Sequence, residues 1–282
     1  MSNINAKHVK KLLIKRAPDA HKGDFGKVLI FAGSPGMAGA AVHAGRAALR
    51  SGAGIVKFLL PELNSPLYTV LQTTVPDAMC SFANESPDYS DYSAIAAGPG
   101  LGKSDTSRSI LTDILRACES VLVLDADALN MIAEDAALAD QVINSKAEII
   151  MTPHIGEAKR LLGDDSAIDT PKKREIAARS IADKYHCICV LKGAGTVVCG
   201  EEIMINTTGN PGMATGGAGD VLTGLIAGLA AQGYAPYDAA CMGVFLHGLA
   251  GDIVKDEYGE ESIIASDLAN CIPYAFKSVR HN

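Results

Sequence analysis

A glycine-rich stretch at residues 206–224 combines residue types that could bind phosphate and move a proton. Within it, Gly217, Ala218 and Gly219 are followed directly by Asp220. Apolar residues at helical spacing come next, which predicts that a helix begins here. The free N–H groups and positive dipole end of such a helix favour an anion, and small residues let a phosphate approach the backbone. Gly217, Ala218 and Gly219 are therefore predicted to form an anion hole.

Asp220 falls in the first turn of this predicted helix, beside the phosphate that the glycines would hold. The helix dipole is expected to keep its carboxylate ionised. An ionised carboxylate could accept a proton from a hydroxyl group that attacks phosphorus. Alternatively, Asp220 only stabilises the start of the helix. The whole flanking string favours the catalytic role.

The segment 192–196 follows a predicted buried strand and carries a second candidate phosphate contact. Its glycines could let an adenosine phosphate lie against the backbone, and Lys192 could supply a positive charge for phosphate. A plain hairpin turn accounts for the same residues equally well. The sequence leaves both interpretations open.

Polar residues also follow two other predicted strands. His154, after Pro153, could bind substrate or transfer a proton, or it could be structural. Glu157 could cap the next helix or organise Mg²⁺ through water. Asp125 and Asp127 could bind substrate hydroxyls or magnesium, and capping of a helix by Asp127 is the alternative.

Three further segments bear on the kind of ligand. Residues 33–41 lead from a strand into an Ala-rich helix, and their small side chains could admit a ligand or only allow close packing. Residues 97–104 approach a P-loop, but Ala97 replaces its first glycine and Pro99 lacks an N–H donor. No Gly-x-Gly-x-x-Gly string follows the first strand, which disfavours a hydride-transferring Rossmann enzyme.

Short apolar runs alternate with helical patterns, which predicts an α/β fold with a mostly parallel sheet flanked by helices on both faces. The predicted strands are 27–32, 55–60, 94–97, 121–125, 148–152, 187–192, 196–199 and 203–206. The predicted helices are 37–51, 105–118, 155–162, 171–185, 219–232, 236–255 and 265–278. Three residues separate the last two strands, which predicts a hairpin and a small antiparallel element. Ligands of such sheets bind at the carboxyl ends of strands, so one site in one domain, residues 1–282, is expected.

Composition excludes some classes of function. The formal net charge is −7 and the basic residues are scattered, so no nucleic-acid partner is expected. The longest apolar stretch, 221–231, is broken by Thr223 and glycines and is too short to span a bilayer. Seven cysteines without Cys-x-x-Cys spacing indicate reduced core residues. A cytoplasmic protein without a membrane partner is expected.

The string 206–224 resembles the anion-hole signature of the ribokinase-like superfamily. Six other segments appear with it in an order that resembles the ADP/ATP-dependent NAD(P)H-hydrate dehydratase family: 21–27, the Ala-Gly-Ser loop at 32–34, 98–102, 125–130, 152–154 and 192–196. The resemblance runs from about His21 to the C-terminal helix. Ile155 stands where the family usually has proline, a departure that puts little in doubt.

This resemblance implies a ribokinase-like fold and repair of damaged nicotinamide cofactor. The implied enzyme is a hydro-lyase that converts the S form of NADHX or NADPHX to NADH or NADPH. ADP or ATP is consumed, with ADP favoured because a stand-alone chain of this kind resembles the bacterial members. The hydrate hydroxyl would be phosphorylated and phosphate then eliminated, with Mg²⁺ supporting the transfer.

Site residues follow by motif match, and the resemblance assigns no direct metal ligand. The implied adenine-nucleotide contacts are Lys192, Gly193, Ala194, Gly195, Thr196 and Gly219. The implied contacts with the hydrate are Ala41, Gly102, His154 and Asp220. Candidates for further contacts with substrate or Mg²⁺ are Asp125, Asn130, Glu157 and Asn210.

The resemblance also implies a homotetramer and a separate NAD(P)HX epimerase, since only about twenty residues precede the match. Two alternatives remain. One is a kinase of the same superfamily for a vitamin precursor or sugar, which would use the same Asp220. The other is a nucleotide-binding regulator, which would not need Asp220.

Overall fold

The computed structural model describes residues 2–281, and within that range ten strands form one sheet. The strands are β1 (Ser2–Ile4), β2 (Lys27–Phe31), β3 (Ile55–Leu60), β4 (Met79–Phe82), β5 (Ala94–Ala97), β6 (Val121–Leu124), β7 (Glu148–Met151), β8 (Ile188–Leu191), β9 (Val197–Cys199) and β10 (Ile203–Asn206). The α-helices are α1 (Ala6–Leu12), α2 (Ala38–Ser51), α3 (Leu67–Thr74), α4 (Asp105–Ala117), α5 (Ala126–Glu134), α6 (Ala136–Ile143), α7 (Ile155–Leu162), α8 (Pro171–Tyr185), α9 (Ala218–Ala231), α10 (Pro236–Tyr258) and α11 (Ala265–His281).

The strand order is β1-β10-β9-β8-β7-β6-β5-β2-β3-β4. β9 is antiparallel to both of its neighbours, and every other neighbouring pair is parallel. The predicted mostly parallel sheet with a small antiparallel element is confirmed. All eight predicted strands are present, with ends within one residue of the prediction.

The sheet separates two hydrophobic layers. Val28 and Ile30 of β2 face the layer built with α2, α9, α10 and α11, whereas Leu29 and Phe31 face the layer built with α4 to α8. All four side chains are buried. Burial on both faces is the reason that these strands read as continuous apolar runs. The prediction of helices on both faces is confirmed.

Close packing of α9 on α2 fixes the helix that begins at the glycine-rich stretch. A side chain at Gly224 would collide with the carbonyl oxygen of Ala44, and one at Gly228 would collide with the hydroxyl of Ser51. Glycine therefore lets α9 lie directly against α2. None of the helices in residues 2–281 is both long and apolar enough to cross a membrane.

Candidate functional site

The start of α9 has the backbone geometry that the sequence predicts. Gly217 immediately precedes the helix with φ +90°, a left-handed conformation that favours glycine. A Cβ atom there would lie 2.9 Å from both Cβ of Ala265 and Cδ2 of His43. Asp220 lies in the first turn. The N–H groups of this turn have no partners within the helix, as an anion hole requires.

A buried ion pair joins two strand ends to this helix. The Nζ atom of Lys192, which follows β8, lies 2.6 Å from Oδ1 of Asp125, which follows β6. Oδ2 of Asp125 accepts a hydrogen bond of 2.7 Å from the hydroxyl of Thr223 in α9. Asp125 is only 1% exposed. Both carboxylate oxygens are engaged, so Asp125 holds Lys192 and α9 together.

Lys192 also lies beside the predicted anion hole. Its Nζ atom is 3.3 Å from the position that a Cβ atom would take at Gly219. Burial lowers the pKa of Lys192, but the charges of Asp125 and Glu157 outweigh this effect and raise the pKa above its usual value. The ammonium group therefore stays charged, and a cation stands next to the backbone where phosphate is expected.

His154 and Glu157 form a capping box at the start of α7. The backbone N–H of His154 donates to Oε2 of Glu157 at 2.7 Å, and Nδ1 of His154 accepts from Gly156 N at 2.9 Å. Burial, followed by the charge of Lys192, lowers the pKa of His154 and keeps the ring neutral. The alternatives of a structural His154 and of helix capping by Glu157 are confirmed, and contact with substrate or Mg²⁺ stays a prediction.

The protonation of Asp220 differs from the expectation. Burial, followed by the negative charge of Asp125, raises the pKa of Asp220 to about 7, although Lys192 opposes the rise. The expectation that the helix dipole keeps this carboxylate ionised was wrong. Dipole stabilisation of about 0.3–1 kcal/mol is smaller than the cost of desolvation beside other carboxylates. A pKa near neutrality suits a general base.

Two loops border the same edge of the sheet. Gly102 has φ +65°, and its N–H donates to Oδ2 of Asp127 at 2.8 Å. The N–H of Gly33 donates to the carbonyl of Pro99 at 2.8 Å, which joins the loops after β2 and β5. Ala41 lies behind Gly33 and is 0% exposed. Its predicted contact with the hydrate stays a prediction that requires this loop to move.

The side chains of Asn210 and Asn130 are both engaged within the fold. Nδ2 of Asn210 donates to Oδ1 of Asp252 in α10 at 3.0 Å, and Gly209 N donates to Oδ2 of the same carboxylate at 2.9 Å. Asn130 accepts from Nε of Arg160 at 2.9 Å. Asp252 therefore ties the glycine-rich loop to α10. Roles of the two asparagines in ligand binding stay predictions.

Residues 193–196 form the turn between β8 and β9, as the hairpin interpretation predicts. Gly193 and Gly195 have φ +141° and +62°. The hydroxyl of Thr196 donates to the carbonyl of Gly193 at 2.9 Å. Arg174 of α8 donates to the carbonyls of Ala194 and Leu191. Nucleotide binding by this turn stays a prediction.

Three residues that support the site were not predicted from the sequence: Thr223, Asp252 and Arg174. Thr223 lies three residues after Asp220, so helical spacing could have placed it on the same face. Asp252 lies inside a long helix and Arg174 lies in α8, and neither position carries a local signal. Their roles follow from tertiary contacts alone.

Known proteins resemble this chain over most of its length. A family model described as NAD(P)H-hydrate dehydratase matches residues 28–274. The ADP-dependent (S)-NAD(P)H-hydrate dehydratase of Neisseria meningitidis serogroup B is 38% identical over 90% of this chain and 86% of its own. The bifunctional NAD(P)H-hydrate repair enzyme Nnr of Moorella thermoacetica is 36% identical over 98% of this chain. This chain spans about half the length, 54%, of that relative.

Solved structures show the same fold. The ADP/ATP-dependent NAD(P)H-hydrate dehydratase of Bacillus subtilis, co-crystallised with ATP/Mg²⁺, superposes with a TM-score of 0.85, at 29% identity, over 99% of this chain and 98% of that one. A ribokinase-like superfamily protein of Enterococcus faecalis V583 superposes with a TM-score of 0.83, at 25% identity, over 100% of this chain and 97% of that one. The expected ribokinase-like fold class is confirmed.

Proposed function

The chain belongs to the NAD(P)H-hydrate dehydratase family, and from that premise we propose that it converts (S)-NADHX or (S)-NADPHX to the reduced cofactor with ADP or ATP as co-substrate. The observation that carries the proposal is the start of α9. There Gly217 shapes a helix N-terminus, Lys192 supplies a buried cation and Asp220 supplies a carboxylate with a pKa of about 7. These are the parts that phosphoryl transfer to a hydroxyl group requires.

In the proposed first step, the C6 hydroxyl of the hydrate attacks the terminal phosphorus of the nucleotide. Asp220 accepts the hydroxyl proton, and the bond between that phosphorus and the leaving nucleotide breaks. The backbone N–H groups at 217–219 and the ammonium of Lys192 stabilise the charge on the transferring group. With ADP as donor the departing nucleotide is AMP, and with ATP it is ADP.

In the proposed second step, the C6–O bond breaks and phosphate leaves as the lone pair of the ring nitrogen moves toward C6. Loss of a proton from the adjacent ring carbon then restores the double bond of the dihydronicotinamide. Phosphate is a better leaving group than hydroxide, which is why phosphorylation makes the dehydration feasible. Gly102 and His154 are proposed to contact the hydrate at the same edge of the sheet, and Ala41, which lies behind Gly33, is proposed to reach it when that loop moves.

The residues of the site fit magnesium only in part. Among residues 2–281 no cluster of three or more His, Cys, Asp or Glu side chains could hold a metal ion. Mg²⁺ is often held by one or two carboxylates together with substrate phosphates and water. Asp127, at the start of α5 on the same edge of the sheet as Gly102, fits that pattern. Bound there, the ion would neutralise charge on the nucleotide phosphates.

The proposal is tested by incubating the purified protein with (S)-NADHX, Mg²⁺ and either ADP or ATP. We expect the absorbance of the reduced nicotinamide ring to increase with time, and one phosphate to be released for each cofactor molecule repaired. A stable phosphorylated product without reduced nicotinamide would instead indicate a small-molecule kinase of the same superfamily. Parallel reactions with ADP and ATP, and with NADHX and NADPHX, determine both preferences.

We further propose that the chain acts as one domain in a cytoplasmic homotetramer, beside an epimerase on a separate chain that supplies the S form. All seven cysteines are free, and six of them are buried, which suits a reducing compartment. The tetramer rests on the family resemblance. Light scattering of the purified protein tests the tetramer, and racemic NADHX with and without added epimerase tests the division of labour.

A further inference from the structure

A cavity of about 380 Å³ lies between the C-terminal ends of α2 and α9, the helix α11 and the segment that contains residues 14–25. Arg16, Arg50 and Arg280 line it. Because α9 has 14 residues, this cavity is about 20 Å from the helix start that carries Asp220. It is therefore separate from the candidate catalytic site.

The three arginines have no carboxylate partner within residues 2–281. Arg16 donates to the carbonyl of Gly52 at 2.7 Å and to Gln232 at 3.0 Å, and Arg280 donates to the carbonyl of Ile14 at 3.1 Å. Arg50 makes no hydrogen bond or ion pair in that range. Asp24 also lines the cavity, but its carboxylate accepts from His21 N at 2.8 Å.

Structural roles account for only part of this arrangement. Arg16 and Arg280 satisfy neutral acceptors, which leaves their charges uncompensated and most of their N–H donors available. The protein as a whole carries a net charge of −7. Three guanidinium groups and one carboxylate, that of Asp24, line the cavity, so positive charge predominates there and the resulting potential favours an anion.

Aromatic side chains form other parts of the wall. Phe25, Tyr234 and Phe276 line the cavity, and the guanidinium of Arg16 stacks 3.6 Å from the centre of the Phe25 ring. A stacked guanidinium offers a flat face to a planar group. Phe25 belongs to the segment 21–27, which carries part of the family resemblance and which the proposed catalytic site does not use.

We propose that this cavity is a second binding site, for a small organic phosphate that carries a planar ring. Guanidinium groups recognise phosphate through several parallel hydrogen bonds, and the aromatic wall would contact the ring. The proposal does not depend on the proposed catalytic function, since it uses none of its residues.

Phenyl phosphate is the probe, titrated calorimetrically into the wild-type protein at low salt. We expect saturable binding that weakens as salt is added, and binding of inorganic phosphate and benzyl alcohol that is weaker than that of phenyl phosphate. Arg50→Ala is expected to weaken binding of phenyl phosphate about five- to tenfold, and Arg50→Glu to weaken it further. Arg50 is exposed and has no partner among residues 2–281, so both variants should fold, which thermal denaturation checks.

Arg116→Ala is the matched control, because Arg116 is also an exposed arginine in the last turn of a helix, α4, and has no partner in the described part of the chain. It is expected to leave binding unchanged. Gly219→Ala tests the other location for the probe, because this variant loses affinity only if the probe binds at the start of α9. The proposal is overturned if binding is not saturable, if Arg50→Ala binds like the wild type, or if only Gly219→Ala loses affinity.

Discussion

Asp220→Asn is expected to lower kcat/KM about 10²- to 10³-fold, the scale of a lost catalytic group. Asparagine has nearly the same shape but cannot accept the hydroxyl proton. In the wild type, burial and then Asp125 raise the pKa of Asp220 to about 7. The ionised fraction is then about 0.09 at pH 6 and about 0.91 at pH 8, so kcat/KM should rise about tenfold between these values.

The same shift has a consequence for stability. The pKa of Asp220 is higher in the folded protein than in the unfolded chain, where 3.8 is the ordinary value. Between about pH 4 and 7 the folded state therefore holds more protons, and the contribution of Asp220 to stability falls as pH rises. Asparagine has no such loss. From pH 5 to pH 8 the free energy of unfolding of Asp220→Asn, relative to that of the wild type, should therefore rise by at most about 3 kcal/mol.

The assay combines kcat/KM between pH 5.5 and 8.5 with urea unfolding at pH 5 and pH 8. Asp140→Asn is the control, because Asp140 is an exposed carboxylate on α6, and neither readout should change. A wild-type profile that is flat from pH 6 to 8 would refute the raised pKa. An inflection near pH 7 that persists in Asp220→Asn would assign the base to another group.

Three other substitutions test the packing around the site. Lys192→Met leaves Asp125 and Glu157 buried without their cation, so urea unfolding should show a loss of about 3–5 kcal/mol, and a loss below 1 kcal/mol would contradict the buried network. Gly219→Ala places a methyl group 3.3 Å from Nζ of Lys192 in a helical backbone that alanine favours. Its thermal midpoint should be preserved while calorimetry shows at least about fivefold weaker ADP binding; unchanged affinity would remove Gly219 from the nucleotide site. Gly224→Ala drives a methyl group into a carbonyl of α2 and should cost more than about 2 kcal/mol in urea unfolding, whereas a neutral effect would mean that α9 can shift at no cost.

The sequence predicted the strands that are buried on both faces, because a short uninterrupted apolar run between turn residues is typical of a strand with helices on both sides. It missed β1 and β4, which have three and four residues and lie at the two edges of the sheet. It also missed α3 and α6, and it offered a helix starting at Asp127, where α5 lies, only as an alternative to ligand binding. Asp135 both ends α5 and caps α6, so the apolar spacing is interrupted there and two short helices read as one irregular stretch.

The site was predictable where it depends on topology. Carboxyl ends of parallel strands meet at one edge, which brings Asp125 after β6 and Lys192 after β8 together although β7 lies between these strands and 67 positions separate the two residues. The protonation of Asp220 was not predictable, since it depends on burial and on distances to other carboxylates. The helix dipole was the only effect visible along the chain, and it is the weaker one here.

The pairing of β1 with β10 bears on how the chain folds during synthesis. Residues 2–4 lie parallel to residues 204–206, and the hydroxyl of Thr207 donates to the carbonyl of Ile4 at 2.7 Å. About 200 residues must therefore be made before the first strand finds its neighbour, which takes about 10 to 40 s at ordinary rates of translation. Throughout that interval Ile4, which ends fully buried, has no native strand to pair with. β1 is thus among the last strands of the sheet to form. Its partner β10 leads directly into the loop that precedes Asp220.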